Sequence, residues 1–111
     1  LLVEDDDSVR RSLQLLLEWN GFEVRAHTRA ASVIELEELN GLNLLVTDFL
    51  LPDTDGIALL EHLRDRAWAG RAVLITGRPV QPLLARARTA GFTAVLEKPI
   101  ARHTLIGALT K

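Results

Sequence analysis

Asp48 closes the run "NLLVTD", and an ionisable side chain at the end of an otherwise apolar segment is costly to place there without a reason. Other polar residues share that placement. Glu4 and Asp5 close "LLVED", Thr76 closes "RAVLIT", and Lys98 follows "TAVLE". If the segments lie side by side, Glu4, Asp5 and Asp48 converge, and their mutual repulsion requires a cation. A small hard divalent ion suits them. Magnesium takes oxygen ligands octahedrally and keeps some of its waters, so carboxylates and a backbone carbonyl make a sensible shell. Lys98 adds a flexible point charge and Thr76 a hydroxyl, which with the metal can neutralise the oxygens of a transferred phosphoryl group. Asp48 is then the carboxylate left to attack, giving an aspartyl phosphate.

Such a convergence needs elements that end at one edge, and the chain alternates short apolar runs with amphipathic stretches. "LLVE" reads as a strand, followed by a helix over "SVRRSLQLLLEWNG" with Ser8 as N-cap and Gly21 as terminator. "FEVRA" reads as a second strand, "RAASVIELEELNG" as a helix closing at Gly41, and "NLLVTD" as the most fully apolar strand. "GIALLEHLRDRA" is the third helix, "RAVLIT" the fourth strand, residues 80–90 the fourth helix, "TAVLE" the fifth strand and "RHTLIGALT" the fifth helix. Strands joined by helices pair in parallel with right-handed crossovers. The expected fold is α/β, a single doubly wound five-stranded parallel sheet in a three-layer α/β/α arrangement, with ligands beyond the carboxyl ends of its strands.

Composition narrows the function. At 111 residues there is room for one core. A net charge of −2 gives no basic footprint, which argues against nucleic-acid binding by this domain. The apolar runs are strand-sized, so no membrane contact is expected. No secretory leader is visible and the chain has no cysteine, which makes the cytoplasm the default location. The chain starts inside an apolar run and stops inside a helical pattern, so residues 1–111 read as one domain cut from something longer.

Four segments in order, "LLVEDD", "VTDFLLPDTDG", "LITG" and "LEKP", resemble the receiver domain of two-component response regulators and hybrid histidine kinases. The resemblance covers essentially the whole chain. It implies the flavodoxin-like strand order 2-1-3-4-5, with Asp48 as phosphoacceptor, Asp5 as direct metal ligand, Glu4 as an outer or water-mediated one, and the Leu50 carbonyl as backbone ligand. Lys98 and Thr76 match the residues that hold the phosphoryl group, and Gly77 the small residue that leaves it space. Implied too are Mg2+, a histidine kinase or histidine phosphotransfer domain as partner, a phosphorylation-dependent dimer, and a commonly cis Lys98-Pro99 bond. Such a domain catalyses its own modification rather than turning over as an enzyme.

Some positions depart from the family pattern. Glu4 replaces the commoner aspartate. Leu50 and Arg78 flank the phosphoryl site, and an apolar Leu50 cannot orient an attacking water. Val95 stands where the family often has a switching aromatic, which leans toward a relay or kinase-attached receiver. Two other readings compete: a Mg2+-dependent Toprim-like phosphotransferase or nuclease using an Asp-x-Asp pair, here Asp53 and Asp55, and a degenerate receiver that only docks. Asp6 and Asp7 read as helix-capping acids, Trp19 and Trp68 as packing residues, and His27, His62 and His103 as scattered surface histidines.

Overall fold

The apolar runs pair as strands, in a computed structural model that describes residues 1–110. β1 (Leu2–Val3), β2 (Ala26–His27), β3 (Leu44–Asp48), β4 (Arg71–Thr76) and β5 (Ala94–Glu97) form one parallel sheet in the order β2-β1-β3-β4-β5. The connecting helices are α1 (Asp7–Trp19), α2 (Ala30–Ile34), α3 (Gly56–Asp65), α4 (Leu84–Ala90, entered through a 3-10 turn at Gln81–Leu83) and α5 (Arg102–Thr110). Side chains alternate across a strand, so one sheet has two apolar faces. Val3, Leu45, Ala72 and Leu74 meet α2, α3 and α4, whereas Leu2, Val46, Val73 and Ile75 meet α1 and α5. The three-layer expectation holds.

Local details differ from the sequence reading. Asp6, not Ser8, caps α1: its Oδ1 accepts the Val9 N–H at 3.0 Å, and Ser8 lies exposed within the first turn. A carboxylate at the N-terminal end also suits the helix dipole. The second strand is Ala26–His27 rather than residues 22–26, because Phe22 and Val24 pack against the α1/α5 face instead of joining the edge. α2 stops at Ile34 rather than 41. Arg66 donates to the carbonyls of Ile34 (3.2 Å) and Leu36 (2.7 Å), groups that a longer helix would have used, and Trp68 Nε1 donates to the Leu42 carbonyl (2.6 Å) just beyond it. Trp68 is buried and packs as expected, but Trp19 is 83% exposed and packs nothing into the core.

Gly56 fixes where α3 begins. A Cβ there would collide with the Asp48 carbonyl oxygen and stand 2.9 Å from Leu74 Cδ1, so the first turn of α3 lies directly on the backbone of the β3 end. Asp55 caps the helix by accepting the Ala58 N–H at 2.8 Å.

Candidate phosphoryl-transfer and metal site

Parallel pairing brings the strand ends to one edge. Val3 is in register with Thr47, Asp48 with Ile75, and Thr76 with Glu97, so the ends of β1, β3, β4 and β5 lie along one edge, with β1 and β4 on either side of β3. Lys98 crosses this edge. Its Nζ donates to Glu4 Oε1 (3.1 Å) and Oε2 (3.0 Å) and to Asp48 Oδ2 (3.0 Å), which ties residues distant in sequence into one network. The Lys98 N–H donates to the Thr76 carbonyl at 2.7 Å, and the Lys98-Pro99 bond is cis.

Glu4 is fully buried, Asp48 nearly so, and Asp5 exposed. Burial pushes the Glu4 carboxyl up to about 7, and the neighbouring Asp48 charge adds to the rise, while hydrogen bonds and charge from Lys98 oppose it. Burial acts to lower the Lys98 pKa, but the hydrogen bonds to Glu4 and Asp48 outweigh it and leave the ammonium above its usual value. Lys98 is thus held protonated between two acids. Glu4 is steadied further through its own backbone, since Arg10 Nη1 donates to the Glu4 carbonyl at 3.1 Å while Arg10 Nη2 donates to Asp7 Oδ1 at 2.6 Å. Sequence reading passed over Arg10. The available signal was a basic residue one turn into a helix whose first turn is acidic.

One ligating oxygen from each of Glu4, Asp5 and Asp48 lies within 4.8 Å of the others. Two buried acids and one reachable from solvent are a hard oxygen donor set, and they can hold a divalent ion. The Leu50 carbonyl is left out of the small antiparallel bridge that closes the next loop. That bridge uses Leu51 N–H to the Thr54 carbonyl (3.1 Å) and Gly56 N–H to the Phe49 carbonyl (2.8 Å). Thr76 is buried, and its Oγ1 accepts the Arg78 N–H at 2.9 Å. Apart from its chain neighbours, no heavy atom lies within 4 Å of where a Gly77 Cβ would be, so the position after Thr76 is open.

The model of the response regulator receiver domain matches residues 1–110. The chain belongs to this family. It is 33% identical over 110 residues to the transcriptional regulatory protein FixJ of Rhizobium meliloti (strain 1021), covering 99% of this chain and 54% of that one. The receiver protein CpdR of Brucella abortus (strain 2308) is 31% identical over 111 residues, covering 100% of this chain and 92% of its own. The chain spans about half the length of the FixJ relatives it matches. Among solved structures, the crystal structure of FixJ-N agrees with a TM-score of 0.86 at 34% identity, covering 96% of this chain and 86% of that one. A Burkholderia pseudomallei response regulator solved with a phosphorylated aspartic acid, calcium ion and citrate shares the fold, with a TM-score of 0.87 at 22% identity, covering 99% of this chain and 65% of the other. As a receiver domain this chain is a two-component signalling module, a class that interacts with histidine kinases.

The Toprim-like alternative finds no support in this receiver. Asp53 and Asp55 do not join Glu4; each caps a helix instead. His62 and His103 are exposed, while His27 is half-buried with its Nδ1 2.9 Å from Ser32 Oγ, so it is less of a surface residue than its sequence suggested. None of the three is a neighbour of Lys98 or Asp48 in the hydrogen-bond network. No helix of the described residues is long and apolar enough to cross a membrane.

Proposed function

We propose that residues 1–111 form one receiver unit that takes a phosphoryl group onto Asp48 from the phosphohistidine of a histidine kinase or a histidine phosphotransfer domain. The observation that carries this is Lys98 Nζ bonded at once to Glu4 and Asp48, beside Asp5 and the open space at Gly77. Asp48 Oδ attacks phosphorus; the P–N bond to the imidazole breaks, and the ring nitrogen keeps the electron pair and takes a proton. Lys98 turns its ammonium from Asp48 Oδ2 to a phosphoryl oxygen, and Thr76 Oγ1 donates to another. Asp5 and Asp48, with Glu4 nearby and the Leu50 carbonyl, are the residues that would hold Mg2+, which when bound supplies positive charge against the phosphoryl oxygens.

Access supports the reading. An open groove of about 520 Å³ between α1 and the β5–α5 connection is lined by Val9, Ser12, Leu13, Lys98, Pro99 and Ile100, and offers a partner helix an approach to Lys98. The FixJ relatives are transcriptional regulatory proteins, which favours a regulator over a kinase as the parent of this receiver despite Val95. A cytoplasmic location belongs to the same reading.

The test is the mass of the protein after acetyl phosphate and Mg2+. Wild type should gain one base-labile phosphoryl group and Asp48→Asn none. Uptake by the variant at the wild-type rate overturns the assignment.

A further inference from the structure

The loop that carries the Leu50 carbonyl is held from a place the receiver chemistry does not name. Between Leu50 and Asp55 the chain leaves β3, turns through the exposed residues Pro52, Asp53 and Thr54, and returns to start α3. At its tip, Asp53 reaches across to another element. Its Oδ1 accepts the Ala30 N–H at 3.1 Å and its Oδ2 the Ala31 N–H at 2.8 Å, so both carboxylate oxygens are engaged by the first turn of α2. The partners lie 23 and 22 residues back in the chain.

α2 has no cap of its own. Arg29 occupies the N-cap position and makes no side-chain cap hydrogen bond, and the helix is only 5 residues long. A helix so short does not stand on propensity alone, and its first N–H groups need an acceptor. Asp53 supplies it from outside, and the same two bonds tether the loop tip. Burial pushes the Asp53 carboxyl up, but the N–H groups of Ala31 and Ala30 outweigh this and leave its pKa below the usual range, so the tether is charged at neutral pH. At the far end of the loop, Asp55 is fixed by the Ala58 N–H and lies 3.6 Å from Arg86.

We propose that Asp53 is a positioning residue for this site: by capping α2 across the fold, it fixes the loop that presents the Leu50 carbonyl to the metal. This rests on the proposed role of the site. The alternative role for Asp53 is a helix cap and nothing more, and the two separate cleanly because α2 can be given a cap from its own sequence. Arg29→Asp places a carboxylate at the N-cap, and with Asp53→Ala it leaves the protein more negative than wild type, so lost negative charge cannot account for weaker Mg2+ binding in the double variant.

The experiment compares wild type, Asp53→Ala, Asp53→Ala with Arg29→Asp, and Val33→Ala, which weakens α2 from its buried side and leaves the Asp53 carboxylate and both of its N–H donors in place. Mg2+ affinity is measured by calorimetry, stability by urea unfolding, and loop order by amide exchange at Leu51 and Gly56. Asp53→Ala should lower the urea midpoint, speed exchange at Leu51 and weaken Mg2+ binding about ten-fold, the loss typical of a lost partner behind a metal ligand. Adding Arg29→Asp should raise the midpoint again and leave exchange and Mg2+ affinity impaired. Val33→Ala should lower the midpoint with Mg2+ affinity as in wild type. Recovery of Mg2+ affinity in the double variant, or equal loss of it in Val33→Ala, reduces Asp53 to a cap and overturns the inference. Wild type that binds no Mg2+ overturns the proposed function, and this inference with it.

Discussion

At the scale of single residues, Glu4 is where burial and charge conflict most. Its carboxyl is shifted from 4.5 to about 7, so in the metal-free protein the folded state keeps a proton that the unfolded chain releases near 4.5. Between those values the unfolded state binds fewer protons, and stability therefore falls as pH rises through that window. Metal-free wild type should lose urea resistance from pH 4.5 to 7 relative to Glu4→Gln, and saturating Mg2+ should remove the loss, because the ion favours the ionised form. A flat difference between the two proteins across that range would mean that Lys98 already holds Glu4 ionised. Leu50 is the other informative residue. Its side chain is 49% exposed at the rim of the site and offers an incoming water no hydrogen bond. Hydrolysis of an aspartyl phosphate needs a water held in line. Leu50→Asn should thus shorten the lifetime of the phosphorylated protein, followed by mass after removal of the phosphodonor. Decay that is unchanged or slower would assign water access to Arg78 instead.

At the scale of elements, the start of α1 shows what sequence can and cannot specify. Asp6, Asp7 and Ser8 are all acceptable caps in a linear reading, and the geometry selects Asp6. Asp6→Ala should cost about 1 kcal/mol in urea unfolding, while Ser8→Ala should stay within about 0.5 kcal/mol. Equal losses would show that the acidic turn acts through the dipole rather than through the Val9 N–H. The strand ends were legible because each apolar run is stopped by its polar residue, but the strand order that sets β1 beside β3 came from the family resemblance, and only with that order does the parallel register place Glu4, Asp48 and Lys98 together. α2 was not legible. Its beginning depends on Asp53 and its end on Arg66, both remote in sequence, so the helical spacing of residues 29–41 described a possibility that tertiary hydrogen bonds cut short. Trp19 misled for a related reason: it continues the apolar character of α1 but points away from both faces of the sheet.

At the scale of the whole molecule, the question is how far a change at Asp48 travels. Val95 on β5 is half-buried, opposite Leu74 of β4, and packs on the α2/α3/α4 side of the sheet. A β-branched side chain has one strongly preferred rotamer and no ring to swing between exposed and buried positions, so it cannot report the state of Thr76 as a rotating aromatic would. The Asp55–Arg86 pair is a second connection from the site to α4, but at 3.6 Å, with the arginine side chain 56% exposed, it belongs to the class of surface pairs that contribute little. The tight link is local: the Lys98 N–H bonded to the Thr76 carbonyl, and Lys98 Nζ to Asp48. A beryllofluoride phosphate mimic with Mg2+ should therefore alter hydrogen exchange mainly at Asp48, Thr76 and residues 77–80, with slight changes over α4, β5 and α5. That pattern suits a receiver in which chemistry at Asp48 matters more than a reshaped outer face. A large protection change across α4, β5 and α5, accompanied by tight mimic-dependent dimerisation in sedimentation, would show a full conformational switch operating without the aromatic, and the connection through Arg86 would then be the first to test by Arg86→Ala.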